Sequence, residues 1–160
     1  MGSTSKVQSL KKYLSRNGVE AEFYEFSEPT LSVEDSARQL NVKPEKIVKS
    51  LVFEDKDDSP LLAIVSGVDR VDLEKLSDAH GSEVRVAKAR KVEKFTGYKI
   101  GEVPPVSHGL ETYVDEKIMD FDSVIAGGGS THTLVELDPR NLIALLSDDC
   151  CVAKISEDNA

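Results

Sequence analysis

The sequence predicts an α+β fold with a largely antiparallel or mixed sheet. Its 160 residues suit one domain that is large enough to bury a hydrophobic core. Predicted strands outnumber predicted helices and mostly follow one another directly, which is typical of α+β folds. No internal repeat, low-complexity tract or linker divides the chain. We therefore expect a single domain over residues 1–160, with residues 1–5 disordered.

Hydrophobic spacing and capping residues predict five helices. The first has apolar residues at helical spacing from Val7 and ends at Asn17-Gly18. Ser32 is a favourable N-cap, and Pro139 suits the first position of a helix. The predicted helices cover residues 6–17, 32–40, 72–80, 89–95 and 139–146.

Eight segments have the composition or alternation of β-strands. In one of them Ile47, Lys49, Leu51 and Phe53 share a face, so Lys49 points the same way as three large apolar residues. The predicted strands cover residues 19–26, 47–54, 61–66, 83–87, 112–114, 124–126, 133–137 and 152–155.

The formal net charge of −9 argues against a broadly basic nucleic-acid-binding protein. Basic residues are nevertheless concentrated in one short segment, which we call the basic strip. It comprises Arg85, Lys88, Arg90, Lys91, Lys94 and Lys99. Such a strip on an acidic body suits a partner that presents phosphates to one face, and it equally suits a solvated helix surface.

The compartment is predicted from what the chain lacks. No apolar run approaches the roughly 18 residues required to span a bilayer, and the first residues lack the apolar core of a signal peptide. Cys150 and Cys151 are adjacent, and neighbouring cysteines rarely form a disulfide without backbone strain. We interpret them as small reduced residues of the last strand, and we expect a cytoplasmic protein without membrane association.

Standard catalytic motifs are missing from the sequence. It contains no Gly-x-Ser-x-Gly segment, no cysteine–histidine pair in a nucleophile context, no His-Glu-x-x-His and no cysteine set for zinc. An enzyme with this sequence is expected to position a substrate and a water molecule, without a cofactor, a covalent nucleophile or a metal.

Lys49 is the first candidate for chemistry. An ammonium on an inward strand face must reach solvent, find an anionic partner or line a polar cavity, because burying it alone costs several kcal/mol. Taken from this strand alone, a lysine at a sheet edge whose stem packs while its head reaches water is an equal alternative.

Two glycine-rich segments offer backbone that a ligand can approach closely. The first, residues 97–109, is stiffened by Pro104-Pro105 and freed at Gly101, so its amides could hold a ligand oxygen without reorganisation. The second, residues 127–130, lies between two predicted strands, so neither nucleotide-loop signature fits. Three consecutive glycines indicate the close approach of a ligand or of another backbone.

Two histidines lie near these segments. His108 could donate to a phosphate or satisfy a neighbouring carbonyl, and His132 could contact a substrate or make a structural hydrogen bond. The sequence alone leaves both pairs of alternatives open.

Three segments, taken in order, carry a family resemblance. They read Val-Lys-Ser-Leu-Val-Phe at residues 48–53, Thr-Gly-Tyr-Lys-Ile-Gly-Glu-Val-Pro-Pro at residues 96–105, and Gly-Gly-Gly-Ser at residues 127–130 with Val-Glu-Leu at residues 135–137. These segments resemble the YbaK/ProX family of aminoacyl-tRNA deacylases, also known as prolyl-tRNA-synthetase-associated editing domains. The resemblance covers nearly the whole chain. It implies a single compact domain around a mixed, barrel-like sheet, flanked by helices, that hydrolyses the ester linking a wrong amino acid to tRNA, typically Cys or Ala on proline tRNA.

The resemblance also implies roles for particular residues. Lys49 matches the family's functional lysine, which would contact the substrate near its terminal adenosine or phosphate. The two glycine-rich segments match loops that line the aminoacyl pocket, and Tyr24 falls near a tyrosine that is important in some members. The implied assignment is catalytic for Lys49, Gly128 and Gly129, substrate-binding for Tyr24, Gly101, Pro104, His108, Gly127, Ser130 and His132, and tRNA-binding for Lys88, Arg90, Lys91, Lys94 and Lys99.

This chain departs from the family pattern at three places. Glu102 stands where members often have a second glycine, and residues 106–108 read Val-Ser-His where members often have Phe-Gly-His. Leu134 stands where the cysteine-specific branch has an aspartate, which puts specificity for cysteine in doubt. His132 could serve the polar role that a nearby histidine has in some alanine-specific members.

Three functions are compatible with these features. The first is a stand-alone deacylase in which glycine-loop amides and Lys49 hold the substrate while a bound water, or the free ribose hydroxyl, assists attack on the ester. Its partners would be the acceptor end of a mischarged tRNA and, as a second candidate, prolyl-tRNA synthetase. The alternative is a non-catalytic tRNA- or protein-binding adaptor, which is favoured by Glu102 because its carboxylate could repel phosphate or block the pocket. A nucleotide or small-acid binder is the third.

Overall fold

Two β-sheets and five α-helices make up the part of the chain that the structure, a computed structural model, describes, namely residues 2–29 and 32–158. The helices are α1 (Gly2–Arg16), α2 (Val33–Leu40), α3 (Leu73–His80), α4 (Ala89–Thr96) and α5 (Pro139–Leu146). The strands are β1 (Glu22–Glu25), β2 (Val48–Asp55), β3 (Pro60–Ser66), β4 (Val84–Val86), β5 (Glu111–Asp115), β6 (Val124–Ser130), β7 (Thr133–Leu137) and β8 (Cys150–Ala153).

The larger sheet has the strand order β4-β2-β3-β5-β8, and the smaller one has the order β1-β7-β6. Every pair is antiparallel except β3 with β5 and β5 with β8, which are parallel. The α+β class and the mixed, mostly antiparallel pairing are therefore confirmed. The expected single barrel-like sheet is two sheets instead. Among the described residues these meet at one bridge, between Ile47 and Ile125, so no barrel closes.

Element boundaries follow local hydrogen bonds. Helix α1 begins at Gly2, so residues 2–5, which were expected to be disordered, are helical, and Met1 lies outside the described residues. Strand β1 is shorter than predicted because the amide of Val19 is still bonded to the carbonyl of Leu14, 3.0 Å away, in the turn that ends α1. Ser32 caps α2 as predicted, its hydroxyl accepting from the amide of Asp35 at 3.0 Å.

The hydrophobic core lies on both faces of the larger sheet. The main cluster fills the space between this sheet, the smaller sheet, α1 and α5. Its members include Leu10, Val52, Ile64, Val135 and Leu142. A second cluster, which includes Phe53 and Leu76, lies under α3 on the opposite face. None of the helices in the described part of the chain is long and apolar enough to cross a membrane.

A polar cluster around Glu136 joins the smaller sheet to the chain that enters β2. The Glu136 carboxylate accepts hydrogen bonds from Tyr24 (2.6 Å) and Ser123 (2.5 Å), and it pairs with the Lys46 ammonium at 2.7 Å. Burial raises the pKa of Glu136, but the three donors outweigh it, and the pKa falls from 4.5 to about 2. We call this group the Glu136 clamp, and it fixes where β2 begins relative to β7.

The clamp leads to a prediction about stability and its pH dependence. Glu136→Gln should lower the free energy of unfolding by about 3 kcal/mol at pH 7, because it removes a carboxylate that is stabilised in the folded state. The folded-state pKa lies below the unfolded value, so this stabilisation is complete above pH 4.5 and is lost as the pH falls towards 2. Urea unfolding of both proteins at pH 7, 4.5 and 3 measures the difference.

The matched control is Glu22→Gln, because the exposed Glu22 lies 3.0 Å from the same tyrosine hydroxyl. It should change stability little at any of these pH values, since exposed polar contacts contribute about 0–1 kcal/mol. Equal effects of the two substitutions, or a difference that grows on acidification, would contradict the clamp.

Candidate active site

A cavity of about 400 Å³ lies along an edge of β2 that has no strand beside it among the described residues. Strand β4 pairs only with the last three residues of β2, from Phe53 to Asp55, and the bridge at Ile47 closes the other end. The wall facing β2 is formed by the loop after α4, together with β6, β7 and α2. It includes Ser32, Val33, Gly101, Val103, Gly127 and Leu134.

The backbone of Ser50 faces this cavity. The carbonyl of Val52 accepts from the amide of Ala87 (3.0 Å), on the side of β4, whereas the carbonyl of Ile47 accepts from Gly67 (2.6 Å), on the side of β3. Backbone groups of successive strand residues point alternately to the two sides. The N–H and C=O of Ser50 therefore point away from β3, as those of Val52 do, and into the open edge.

The Ser50 side chain adds a hydroxyl to the cavity. Its Oγ is buried and has no hydrogen-bond partner among the described residues. Buried hydroxyls are normally satisfied, so an unpartnered one in a cavity wall is suited to a ligand. Ser50 was not among the predicted site residues, because strand alternation places it on the face opposite to Lys49, whereas a cavity at the strand edge is lined by residues from both faces.

Lys49 lines the same cavity and is half-buried. Its only hydrogen bond within the described residues is a long one, 3.5 Å from Nζ to the carbonyl of Gly67, and none of them forms an ion pair with it. Burial lowers the pKa of Lys49, the nearby Arg70 lowers it further, and the charge of Asp69 opposes the shift. The ammonium is therefore free to take an anionic or carbonyl oxygen.

Gly67 and the start of α2 hold the carbonyl next to Lys49, and sequence reasoning missed them. A Cβ at Gly67 would lie 2.5 Å from a methyl carbon of Val33 and 2.9 Å from the carbonyl oxygen of Ile47, so only glycine fits there. Ser36 also lines the cavity from α2, donating to the carbonyl of Ser32 at 3.1 Å. The sequence signal for this wall was the N-cap serine alone.

The first glycine-rich segment contributes to the cavity in part. Gly101 lines it, with φ of +85° and open space where a Cβ would lie. Pro104 is buried and does not line the cavity. Glu102 is also absent from the cavity wall, so its carboxylate does not block the site.

The second glycine-rich segment lies inside β6, rather than after it, at an irregularity in its pairing with β7. Gly127 lines the cavity, and a Cβ there would lie 3.0 Å from the carbonyl oxygen of Val103. Gly128 packs against Thr133, whose carbonyl oxygen would be 3.0 Å from a Cβ, and Gly129 packs against α1. Of the two alternatives, the close approach of another backbone accounts for Gly128 and Gly129.

Both histidines lie outside the cavity. His108 is buried, its Nε2 donating to the carbonyl of Pro105 (3.0 Å) and its Nδ1 accepting from the amide of Leu110 (3.1 Å). Burial lowers the pKa of His108, in keeping with the neutral ring that these bonds require. His132 is exposed and lines a separate groove beside α1.

Tyr24 and Ser130 are also placed apart from the cavity. The Tyr24 hydroxyl is bound in the Glu136 clamp, and this hydrogen bond, with burial, raises the pKa of Tyr24. The Ser130 hydroxyl lies 2.8 Å from that of Thr133 and accepts from the amide of His132 at 3.1 Å. Of the predicted site residues, the structure thus brings Lys49, Gly101 and Gly127 together.

The basic strip is partly neutralised. Lys91 pairs with the buried carboxylate of Glu54 at 2.9 Å, and Arg85 pairs with Glu54 at 3.6 Å and with Asp58. The remaining four members are exposed and form no ion pair with any described residue. They are Lys88, Arg90, Lys94 and Lys99.

The cavity combines one ammonium, a backbone edge, hydroxyls and mainly apolar walls, and no carboxylate or imidazole lines it among the described residues. The same part of the chain contains no group of three His, Cys, Asp or Glu side chains that could hold a metal ion. Such a site can bind and polarise an acyl ester, but the attacking group must be activated by the substrate or by water itself.

This chain is similar to several known proteins, three of which act in or are named for prolyl-tRNA charging and editing. A candidate trans-editing enzyme for prolyl-tRNA synthetase, of known crystal structure, aligns with a TM-score of 0.86 and 31% identity, over 96% of this chain and 98% of its own. EbsC of Enterococcus faecalis, a candidate Cys-tRNA(Pro)/Cys-tRNA(Cys) deacylase, is 28% identical over 89% of this chain and 90% of its length. Proline–tRNA ligase of Caldicellulosiruptor saccharolyticus is 28% identical over 62% of this chain, which matches 18% of the ligase.

The family is shown by the extent of one match. Residues 27–145, which contain every cavity-lining residue named above, match the aminoacyl-tRNA editing domain. The chain therefore belongs to the aminoacyl-tRNA editing domain family.

Proposed function

We propose that the protein removes a small, wrongly attached amino acid, Cys or Ala, from mischarged tRNA of the proline type that is not bound to a synthetase. The enzyme class, an aminoacyl-tRNA deacylase, follows from the family. The observation that carries the proposal is the joint presence of Lys49, the open backbone edge at Ser50 and Gly101 in one cavity. The similarity to EbsC and to a region of proline–tRNA ligase supports the tRNA type.

The proposed mechanism relies on positioning. An aminoacyl ester is already activated, so holding it beside a water molecule or the free ribose hydroxyl lowers the barrier substantially. The developing oxyanion would receive hydrogen bonds from the Ser50 amide and the Lys49 ammonium, which face the cavity. Since no protein base lines the cavity among the described residues, a bound water would supply the nucleophile and the free ribose hydroxyl would assist by accepting its proton, so that the amino acid leaves as the free acid.

The choice of an uncharged amino acid rests on the cavity walls. They are mainly apolar and contain no acidic group that would hold a polar or basic side chain among the described residues. Leu134 makes the wall apolar at the position where the cysteine-specific branch carries an aspartate. Charging proline tRNA with cysteine, alanine and serine separately would identify the preferred amino acid.

Exposed members of the basic strip are proposed to contact the acceptor stem, because α4 leads directly into the loop that forms one cavity wall. Prolyl-tRNA synthetase remains the proposed protein partner, as the enzyme that would charge such a tRNA. Glu102 lies outside the cavity wall, so it does not favour the adaptor alternative by blocking the pocket.

Lys49 gives the first test of catalysis. Lys49→Met keeps the apolar stem and removes the charge, and it should lower the single-turnover rate constant for deacylation by ~10²-fold, the usual effect of losing one oxyanion donor. Rapid-quench measurement of amino acid release from mischarged proline tRNA determines the rate constant, and filter binding confirms that the tRNA still binds.

Lys43→Met is the matched control, because Lys43 is exposed and lies six positions before Lys49, outside the cavity. It should leave the rate constant within about two-fold of that of the original protein, as surface substitutions usually do. If the unsubstituted protein binds the mischarged tRNA but releases no amino acid, the proposed deacylase function is wrong and the adaptor function takes its place.

Two neighbouring glycines separate a cavity role from a folding role. Gly127→Ala should displace the facing loop at Val103 and slow deacylation by ~10-fold or more, because small misplacements in a site are costly. Gly128→Ala should instead lower the free energy of unfolding by about 1–3 kcal/mol, through overlap with Thr133. Urea unfolding and single-turnover kinetics on both variants test this, and the reverse pattern would refute the assignment.

A further inference from the structure

Two exposed apolar side chains stand at the mouth of the cavity. Val86 at the end of β4 is 65% exposed and Ile100 in the loop after α4 is 62% exposed, the highest values among the large apolar residues described. Both line the cavity, although they come from different elements. Apolar side chains at the rim of a ligand cavity are well placed to cover part of a ligand that extends outward.

The strand register places Val86 at the end of the cavity away from Lys49, and Ile100 lines the same cavity from the loop after α4. Val86 is paired with Phe53, so their side chains share a face with Leu51 and Lys49. Phe53 lies four positions after Lys49 in β2, which corresponds to about 13 Å along the strand. An elongated ligand can therefore reach from the mouth to the ammonium, past the open edge at Ser50.

Positive charge flanks the same mouth. Lys99 directly precedes Ile100, and Lys88 follows Val86 by two positions. Both lysines are exposed, and neither is paired with any described residue. The body of the protein is acidic, with a net charge of −9. A ligand group that suits this mouth is flat and apolar on its faces and is attached to phosphates, which describes a nucleobase at the end of a nucleic-acid strand.

We propose that Val86 and Ile100 clamp the 3′-terminal nucleobase of the tRNA between them. The phosphate of that nucleotide lies towards Lys88 and Lys99, and its aminoacyl ester lies inward, towards Ser50 and Lys49. This inference rests on the proposed function, and it adds a binding site for the base to a cavity that holds the ester.

The test compares two substrates and two forms of the protein. One substrate is alanine charged on proline tRNA, and the other is the same tRNA whose 3′-terminal ribose carries no base. In the original protein, loss of the base should lower kcat/KM by ~10-fold or more, the effect expected when a stacked base is lost. The double variant Val86→Ser, Ile100→Ser should lose a similar factor with the complete tRNA.

The double variant should lose little with the baseless tRNA, because the clamp then has no base to hold. Val152→Ser is the control, since Val152 is an exposed apolar residue on β8, outside the cavity, and its substitution should leave both values unchanged. If the double variant loses kcat/KM equally with both substrates, or with neither, Val86 and Ile100 do not hold the base. If the double variant loses the same factor in kcat/KM with the complete and the baseless tRNA, Val86 and Ile100 have a protein-docking or structural role instead.

A binding measurement distinguishes failure of the proposed base contact with Val86 and Ile100 from failure of the proposed function. Fluorescence titration with an uncharged acceptor-stem RNA, with and without its terminal base, does not depend on hydrolysis. The base should strengthen binding by ~10-fold in the original protein and by less than ~2-fold in the double variant. If no aminoacyl ester is hydrolysed but this pattern is found, the clamp is supported and the deacylase is rejected. If esters are hydrolysed and the terminal base has no effect on binding, the deacylase is supported and the base contact with Val86 and Ile100 is rejected.

Discussion

The candidate site depends on one constraint: among the described residues, no strand pairs with the middle of the outer edge of β2. Strand β4 pairs with Phe53–Asp55 alone, and among the described residues the smaller sheet is bridged to this part of the chain only at Ile47, the residue before β2. The Glu136 clamp ties the smaller sheet to the chain at Lys46, next to that bridge. A gap remains in which backbone groups, side chains from both strand faces and the facing loop surround one space.

This arrangement explains how a site with few reactive side chains can act on an ester. Backbone amides and an ammonium do not change their charge during attack, and they are held in place by the sheet before the substrate arrives. Lys49 is half-buried, and its Nζ lies 3.5 Å from the carbonyl of Gly67, so the ammonium stays within the cavity and can still bind a substrate oxygen. The hydroxyl that assists the attacking water can come from the substrate, so the protein supplies geometry and a local field rather than a base.

Local features of the sequence predicted most of the fold, because helix periodicity, N-caps and strand alternation act over a few residues. Lys49 was identifiable for the same reason, as an ammonium among apolar neighbours. Contacts between distant segments were not predictable. The clamp at Glu136 joins four of them, and the glycines at 128–129 serve hairpin and helix packing rather than a ligand. Ser50 escaped notice because periodicity describes strand faces, whereas this cavity lies at a strand edge.

The shortness of the open edge has a consequence for how the protein behaves among other chains. Exposed strand edges invite pairing with other polypeptides, and proteins usually shield them with charge, bulges or covering segments. Here β4 at one end and the bridge at Ile47 at the other leave an opening of about five residues, from Val48 to Val52. An extended peptide that is longer than this opening would run into a neighbour at either end, so the short edge disfavours both aggregation and the addition of a foreign strand.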